Sequence, residues 1–409
     1  MPRWLLPEGV SDVLPSEARR LEELRRAMLD MYRSYGYELV QPPLVEHVQS
    51  LLTGAGSALE LRTVQVVDQL SGRRIGVRAD MTPQVARIDA HLLDRNGVTR
   101  LCYAGPVLHA RPADHYASRE PLQVGAELYG HAGLEAELEI MELMIESLRL
   151  AGVGPMRIDL SHAGIVPALL EMEQGAADAL DRDELHSLLV CKDVPGLRET
   201  LADRDPAMAA ALVALASLYG PALGPEGIID RALSLLPAID GVRAALTELR
   251  TLAASPLWQR VADVEVAVDL ADLSGYHYYS GVSFATYARD AANAAAWRGA
   301  LARGGRYDGV GAAFGRARPA AGFSLELRSL FDFGPSPDPV GAIRAPWADD
   351  SGLRAEIAAL RAAGEIVLQV LPGHEDEQQE FACTRELQRH DGRWHLVPLN
   401  IHRSDASDG

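Results

Sequence analysis

The chain has 409 residues, 48% of them hydrophobic, an ordinary composition for a globular protein and enough length for two or three domains. No run of about 18 apolar residues is present and the first residues lack a secretory signal pattern, so we expect a cytoplasmic protein without a membrane segment. The formal net charge of -18 disfavours a polyanion such as tRNA as a partner, because its phosphates are neutralised mainly by Lys and Arg.

The first 164 residues predict a mixed sheet flanked by helices. Apolar residues at helical spacing predict a helix over 17–35, and apolar runs on either side of Ser71-Gly72 predict a hairpin over 64–78. The other predicted elements are a strand over 37–43, a helix over 82–93, strands over 101–108 and 121–129, a helix over 135–150 and a strand over 156–161. This order is typical of an α+β fold with a mostly antiparallel sheet.

Residues 165–260 differ in character, because they are dense in Ala and Leu and are broken by Asp, Glu and Pro. This pattern predicts short helices, which we interpret as an all-helical insertion into the sheet-forming core. Residues 261–334 form the second part of that core, with predicted strands over 264–270 and 276–287 and another sheet signal after Gly305. Prolines at 335, 337, 339 and 346 predict a linker over 335–349.

Residues 350–400 predict a small C-terminal α/β unit. It contains a helix over 353–363, a strand over 366–371 and a hairpin that turns at Asp391-Gly392, a pair favoured in tight hairpin turns. We expect the polar residues 401–409 to form a disordered tail.

The sequence contains little that indicates a metal or cofactor site, and we expect the chain to bind neither a metal nor a cofactor. Cys102, Cys191 and Cys383 are few and far apart, which disfavours a zinc site or a disulfide framework. The acidic run over 373–377 is interpreted as a solvated turn, and His109 and His115 as loop residues. Lys192 is the only lysine, which excludes a Walker-type phosphate loop and a Schiff-base lysine elsewhere.

Several segments, taken in chain order, resemble the histidyl-tRNA synthetase family of class II synthetases over about residues 5–330. They are Leu6 to Pro15, Glu38 to Glu46 (motif 1), Arg78 to Thr82, Tyr103 to Glu127 (motif 2), Gly275 to Phe284 (the second histidine motif), and Gly304 to Gly309 with Pro319 to Phe323 (the ATP-binding end). This resemblance implies a class II synthetase-like antiparallel sheet flanked by helices. It also implies self-association as a class II-like dimer.

The same resemblance places three arginines that stabilise adenylate formation in the family. These positions hold His109, Ser274 and Ser329 here. Because guanidinium groups offset the charge that develops on the α-phosphate, their replacement predicts a chain that does not catalyse adenylation. Arg119 matches a further motif 2 arginine and Arg111 lies close to the vacated place, so both are secondary site candidates.

The amino-acid half of the family's site is retained. The resemblance implies a histidine pocket formed by Asp80, Thr82, Gln123, Glu127, Tyr278 and Tyr279. Asp80 and Thr82 match the ammonium-binding positions, although the family has glutamate where Asp80 stands. Gln123 and Glu127 lie four apart on a predicted strand and therefore share one face. Each position alone is compatible with a structural role, and their joint match favours a pocket.

The segment from Val370 to Glu375 and the Arg393-Trp394 pair are also similar to the regulatory subunits of short-form ATP phosphoribosyltransferase, so that resemblance spans almost the whole chain. It implies a non-catalytic subunit of histidine biosynthesis that assembles with the short catalytic subunit into a hetero-oligomer. It further implies allosteric feedback inhibition by histidine.

Two other interpretations remain open from the sequence. One is a catalytically active divergent histidyl-tRNA synthetase or a ligase that adenylates another small amino acid, with Arg111 and Arg119 as its available cations. The other is a structural scaffold with an inactive pocket. The residues also leave open whether histidine would bind in this pocket or at the junction with the catalytic subunit.

Overall fold

The computed structural model describes residues 4–53, 56–112, 117–173, 180–273, 278–289, 297, 299–331, 333, 341–374 and 381–399, with the side chains of 56–58 excepted. The chain divides into two compact units. The larger comprises residues 1–12 and 21–334, and the smaller comprises residues 13–20 and 335–409. No helix within the described ranges is long and apolar enough to cross a membrane.

Sixteen strands are found in the described residues. In chain order they are β1 Glu38–Leu39, β2 Val45–His47, β3 Val64–Val67, β4 Arg74–Val77, β5 Thr99–Pro106, β6 Leu122–Tyr129, β7 Met156–His162, β8 Tyr219–Pro221, β9 Val264–Asp269, β10 Val282–Ala288, β11 Ala302–Arg306, β12 Ala320–Glu326, β13 Gly341–Pro346, β14 Val367–Val370, β15 Ala382–His390 and β16 Arg393–Pro398.

The same part of the chain holds thirteen α-helices. They are α1 Pro15–Ser34, α2 Val48–Leu51, α3 Gly56–Arg62, α4 Thr82–Arg87, α5 Glu135–Leu150, α6 Ile165–Leu170, α7 Arg182–Val190, α8 Val194–Thr200, α9 Pro206–Leu215, α10 Ile228–Leu235, α11 Asp240–Ala253, α12 Leu257–Arg260 and α13 Ser351–Ala362. A π-helical turn, Ile88–Leu93, continues α4. Two 3₁₀ turns lie at Val310–Phe314 and Arg328–Leu330.

A nine-stranded sheet organises the larger unit, in the order β1-β5-β6-β12-β11-β10-β7-β9-β8. Only the β1–β5 and β7–β9 pairs are parallel. Helix α5 buries its apolar face in the core of this unit through residues such as Ile140 and Met144. The Tyr32 ring of α1 packs edge-on against Phe323 at 6.1 Å, and its hydroxyl lies 2.9 Å from Ser147 Oγ. The predicted α+β fold with a mostly antiparallel sheet is confirmed.

The centre of the sheet is unusually rich in glycine, and this leaves room for side chains on its face. In the β6–β12 register Glu127 pairs with Gly322, and in the β5–β6 register Tyr103 pairs with Gly125. A Cβ atom at 322 would lie 1.5 Å from Glu127 Oε2, and one at 125 would lie 2.4 Å from the Tyr103 hydroxyl oxygen. Glycine is therefore required at both positions for these side chains to lie across the neighbouring strand.

Several sequence predictions match closely, including the hairpin of β3 and β4 and the helix α5. Others are wrong in detail. The strand predicted over 37–43 is reduced to Glu38–Leu39, since Pro42 and Pro43 have no N–H for a sheet ladder. The strand predicted over 276–287 begins at Val282, so Tyr278 and Tyr279 precede it.

The segment 165–260 contains the predicted short helices, but it is not all-helical. Residues Tyr219–Pro221 form β8, which pairs antiparallel with β9 at the edge of the large sheet. Three residues are too few to produce an alternating apolar pattern in the sequence, which explains why the strand was missed.

The smaller unit has a four-stranded sheet, β14-β13-β15-β16, packed with α13. Its core includes Ile343, Leu353 and Leu387. The predicted hairpin is confirmed, with positive φ angles of 50° at Asp391 and 76° at Gly392. Strand β13 lies inside the predicted 335–349 linker, where Pro346 ends the strand; the predicted linker is therefore wrong over Gly341–Pro346. Pro335, Pro337, Pro339 and the predicted tail 401–409 lie outside the described residues. The other predicted domain boundaries stay predictions.

Candidate functional site: a polar cavity on the central sheet

The larger unit contains a cavity of about 290 Å³ on the face of the central strands. Its lining residues are Leu59, Arg62, Asp80, Thr82, Pro83, Glu127, Tyr278, Tyr279, Arg303, Gly304, Tyr307, Gly322, Phe323 and Ser324. Five of the six predicted histidine-binding residues are among them, and the sixth, Gln123, contacts one of the five. The lining combines carboxyl, hydroxyl, aromatic and guanidinium groups, as expected for a small polar ligand.

Glu127 of β6 lies at the buried wall of this cavity, with 1% of its surface exposed. The Tyr103 hydroxyl donates to Oε1 at 3.0 Å, and the Tyr307 hydroxyl donates to Oε2. Burial raises the pKa of Glu127 from 4.5 to about 8, although hydrogen bonds from Tyr307, Thr82 and Tyr103 act in the opposite direction. At neutral pH this side chain is mainly a neutral acid, which can both donate and accept a hydrogen bond.

Asp80 is held by its neighbours through one oxygen. Its Oδ1 accepts the backbone N–H of Thr82 at 3.0 Å and the side-chain amide of Gln123 at 2.8 Å. The Gln123 carbonyl in turn accepts the backbone N–H of Met81 at 2.8 Å. None of the hydrogen bonds found among the described residues involves Asp80 Oδ2. Gln123 therefore positions Asp80, and one carboxylate oxygen stays available to a ligand cation.

Thr82 begins helix α4 and connects Asp80 to the buried wall. Its Oγ1 lies 2.9 Å from the Tyr103 hydroxyl, which also donates to Glu127. Pro83 follows at the start of the helix, where the lack of an N–H carries no penalty. The hydroxyl of Thr82 is thereby fixed beside two acidic side chains.

Three tyrosines form the aromatic side of the cavity. Tyr278 packs edge-on against Tyr279, with ring centroids 5.6 Å apart, and stacks at a tilt on Tyr307 at 4.9 Å. The Tyr278 hydroxyl is buried and has no hydrogen-bond partner in the part of the chain that is described. A buried hydroxyl without a partner is costly, which marks it as a group that a ligand could satisfy.

Four further residues of the site were missed as site residues by the sequence analysis: Tyr103, Tyr307, Arg62 and Arg303. Both tyrosines lie inside quoted motifs, and the position of Tyr103 on a strand opposite Gly125 was a usable signal. Arg303 lies on β11 and forms an ion pair with Asp272 at 3.3 Å. Arg62 ends α3 and lies 2.9 Å from His109 Nε2. The expectation that only Arg111 and Arg119 supply cations is wrong, because two other guanidiniums line the cavity.

Two of the three positions that hold adenylation arginines in the resembled family, Ser329 and His109, make contacts within the fold here. Glu326 accepts the backbone N–H of Ser329 at 2.6 Å and that of Arg328 at 3.0 Å, and so caps the 3₁₀ turn after β12. His109 is buried beside Arg62, and burial followed by the Arg62 charge lowers its pKa. Ser274 lies outside the described residues.

The secondary candidates do not line the cavity. Arg119 donates from Nε to the His109 carbonyl at 3.0 Å and from a terminal nitrogen to the Glu8 carbonyl at 3.3 Å. Its guanidinium therefore holds two backbone segments together. Arg111 is exposed.

Across the described ranges, no group of three or more His, Cys, Asp or Glu side chains is arranged to hold a metal ion. His115 and residues 375–377, which the sequence analysis also considered, lie outside those ranges.

Comparisons with known proteins define the family of the chain. A family model described as Histidyl-tRNA synthetase matches residues 9–330, and one described as ATP phosphoribosyltransferase subunit HisZ C-terminal domain matches residues 340–397. The structure of apo histidyl-tRNA synthetase from S. aureus matches with a TM-score of 0.63 at 16% identity, covering 97% of each chain, which shows the fold alone. The chain is therefore a protein of the histidyl-tRNA synthetase-like class II fold.

Relatives with higher sequence identity show which family within this fold the chain belongs to. A solved structure from Bacillus halodurans C, called an ATP phosphoribosyltransferase regulatory subunit/histidyl-tRNA synthetase, has a TM-score of 0.77 at 26% identity and covers 91% of this chain and 94% of its own. An ATP phosphoribosyltransferase regulatory subunit from Ralstonia pickettii is 55% identical over 97% of this chain and 98% of its own length. One from Cupriavidus necator is 56% identical over 97% and 99%. The chain belongs to the family of ATP phosphoribosyltransferase regulatory subunits.

Proposed function

We propose that this chain is the regulatory subunit of a cytoplasmic ATP phosphoribosyltransferase, without a catalytic site of its own. It assembles with a short catalytic subunit, is required for that subunit's full activity, and transmits feedback inhibition by histidine. Self-association as a class II-like dimer and the absence of tRNA binding belong to the same proposal. The family supports the catalytic partner, and the cavity supports the effector.

One observation carries the effector assignment. A single cavity combines an available carboxylate oxygen on Asp80, a buried neutral acid at Glu127 and a Tyr278 hydroxyl that has no hydrogen-bond partner among the described residues. Histidine presents an α-ammonium, which suits Asp80 and Thr82, and an imidazole with one donor and one acceptor nitrogen. The imidazole suits Glu127 and Tyr278, while Tyr279 and Tyr307 cover the ring. Gln123 acts by orienting Asp80.

The test mixes the full chain with a short catalytic subunit and measures phosphoribosyl transfer with and without histidine. We expect the chain to raise activity and histidine to lower it. We expect Glu127→Ala and Tyr278→Phe to weaken inhibition by histidine, and we expect analytical ultracentrifugation to show that both variants still assemble. If both variants kept the wild-type response, histidine would bind elsewhere, such as at the subunit junction.

A second candidate, an enzyme that adenylates a small amino acid, gains one specific support from the structure. Arg62 and Arg303 line the cavity and are cations of the type that phosphate binding needs. Arg303 is offset by Asp272, and serine stands at position 329, where the resembled family has a phosphate-binding arginine, so the regulatory function is favoured. Exchange of pyrophosphate into ATP that depends on histidine would establish the enzyme instead.

A further inference from the structure

We infer that Arg62 is a specificity-determining residue of the cavity, whose guanidinium binds the carboxylate of a free α-amino acid. The site would thereby select histidine over analogues that keep the ammonium and imidazole but lack the carboxylate. This inference rests on the proposed histidine site and adds a residue that neither the motifs nor the family resemblance indicated.

The buried wall alone does not explain selection of an amino acid. Asp80, Thr82, Glu127 and Tyr278 would recognise an ammonium and an imidazole equally well in an amine that has no carboxylate. A free amino acid also carries a negative charge, and that charge needs a cation or backbone donors at the site. The cavity lining contains two such cations, Arg62 and Arg303.

Their surroundings distinguish the two arginines. Arg303 already forms an ion pair with Asp272 at 3.3 Å, so part of its charge is compensated. Arg62 forms no ion pair within the described residues, and its side-chain partner is His109 Nε2 at 2.9 Å. Nε2 also lies 3.1 Å from the Ala79 carbonyl oxygen, and one ring nitrogen cannot accept from Arg62 and donate to Ala79 at the same time, but neither arrangement places a negative charge beside Arg62. A neutral imidazole leaves the whole charge of Arg62 available to a ligand.

The contacts of Arg62 also hold it in position. Its carbonyl accepts the backbone N–H of Ala110 at 2.8 Å, and Thr63 forms an isolated β-bridge with His109. His109 is in turn fixed from its other side, since the backbone N–H donates to the Arg119 carbonyl at 2.7 Å. Arg62 is exposed, whereas Asp80 is half-buried and Glu127 is buried, so a zwitterion would enter with its carboxylate outermost.

The experiment measures binding of three compounds to the full chain by titration calorimetry. They are histidine, histidinol, in which a hydroxymethyl group replaces the carboxylate, and histamine, which lacks it altogether. We expect the wild-type chain to bind histidine about 10- to 100-fold more tightly than the other two, the usual range for loss of a charged hydrogen-bond partner. Arg62→Gln should remove that preference by weakening histidine alone.

Arg62→Lys keeps the charge but not the planar fork, and we expect it to recover part of the preference. Arg74→Gln, which changes an exposed arginine of β4 outside the cavity lining, is the matched control and should leave all three affinities unchanged. Equal wild-type affinity for histidine and histidinol would overturn the inference but leave the histidine site standing. An Arg62→Gln variant that bound all three ligands less tightly by the same factor would overturn the inference in the same way. No histidine binding by the wild-type chain would overturn the proposed histidine site as well.

Discussion

Glu127 and Glu326 lie on the adjacent strands β6 and β12, yet they have opposite surroundings. The Glu326 carboxylate accepts three backbone N–H groups, those of Leu122, Arg328 and Ser329. The Glu127 carboxyl group is buried against a cavity, and its hydrogen bonds within the described residues come from side-chain hydroxyl groups. The first is committed to the fold, while the second keeps hydrogen-bonding capacity for a ligand. Burial of a carboxyl group therefore indicates function only where the backbone does not satisfy it.

The largest expected effect comes from closing the space beside Glu127. Gly322→Ala would place a Cβ atom 1.5 Å from Glu127 Oε2 and 2.9 Å from the Ala126 carbonyl. We expect histidine binding to be abolished and the free energy of unfolding to fall by about 1–3 kcal/mol, as for other overpacked sites. Calorimetric titration and denaturant unfolding measure the two effects.

Gly309→Ala is the control for that variant. A Cβ atom there meets no heavy atom within 4 Å, and the φ angle of -82° suits any residue. We expect its stability to stay within about 0.5 kcal/mol of wild type and its histidine affinity to be unchanged. Retained histidine binding by Gly322→Ala would show that the ligand does not contact Glu127.

The second prediction concerns pH. The folded pKa of Glu127, about 8, lies above its usual 4.5, so the folded chain binds the proton more tightly than the unfolded chain. This tighter proton binding contributes on the order of a few kcal/mol to the free energy of unfolding. The contribution is fully present below about pH 4.5 and is lost progressively as pH rises to about 8. Glu127→Gln should reduce the dependence of the free energy of unfolding on pH, and without histidine the variant should be more stable than wild type at pH 8.

The comparison variant is Glu326→Gln, measured over the same pH range. Because its carboxylate is bonded to backbone N–H groups, we expect this change to lower stability and to leave histidine affinity unaltered. Unfolding curves of Glu127→Gln that ran parallel to wild type between pH 5 and pH 8 would contradict the assignment of a neutral buried acid.

The smallest expected effect comes from removing the Tyr278 hydroxyl, and it tests whether that hydroxyl bonds a ligand or has a structural role. Tyr278→Phe removes a buried hydroxyl with no partner among the described residues, so we expect stability to be equal to or about 1 kcal/mol above wild type. Histidine affinity should fall about tenfold if that hydroxyl bonds the ligand. Tyr103→Phe provides the contrast, since its hydroxyl contacts Thr82 and Glu127 and its loss should destabilise the fold. A Tyr278→Phe variant with lower stability and unchanged affinity would reverse the two roles.

Much of the fold was predictable from local patterns. Apolar spacing gave helix α5 at its observed bounds, and the Asp391-Gly392 pair located the β15–β16 turn. The predicted site residues are brought together around the cavity from three places in the chain: Gln123 and Glu127 lie on β6, Asp80 just before α4 and Thr82 at its start, and Tyr278 and Tyr279 in the segment before β10. Gln123 differs from the other predicted site residues, because it contacts Asp80 and does not line the cavity.

The remaining features depend on contacts between distant parts of the chain. The pairing of Arg62 with His109 joins positions 47 residues apart. No local periodicity encodes that pairing, and α3 carried no helix signal that would have directed attention to its last residue. Likewise, β8 is a strand only because β9 offers it an edge. Tertiary context decides such short elements, whatever their intrinsic propensity.

The sole lysine of the chain has a practical consequence for solution studies. Lys192 follows α7 with a positive φ of 54°, bonds both oxygens of Asp269 at 2.6 and 2.9 Å, and lies over the Tyr219 ring at 4.9 Å. Reagents that acylate primary amines therefore have one side-chain target, located where the helical segment meets the edge of the large sheet. The rate at which that amine is labelled would report opening of this junction without any engineered probe.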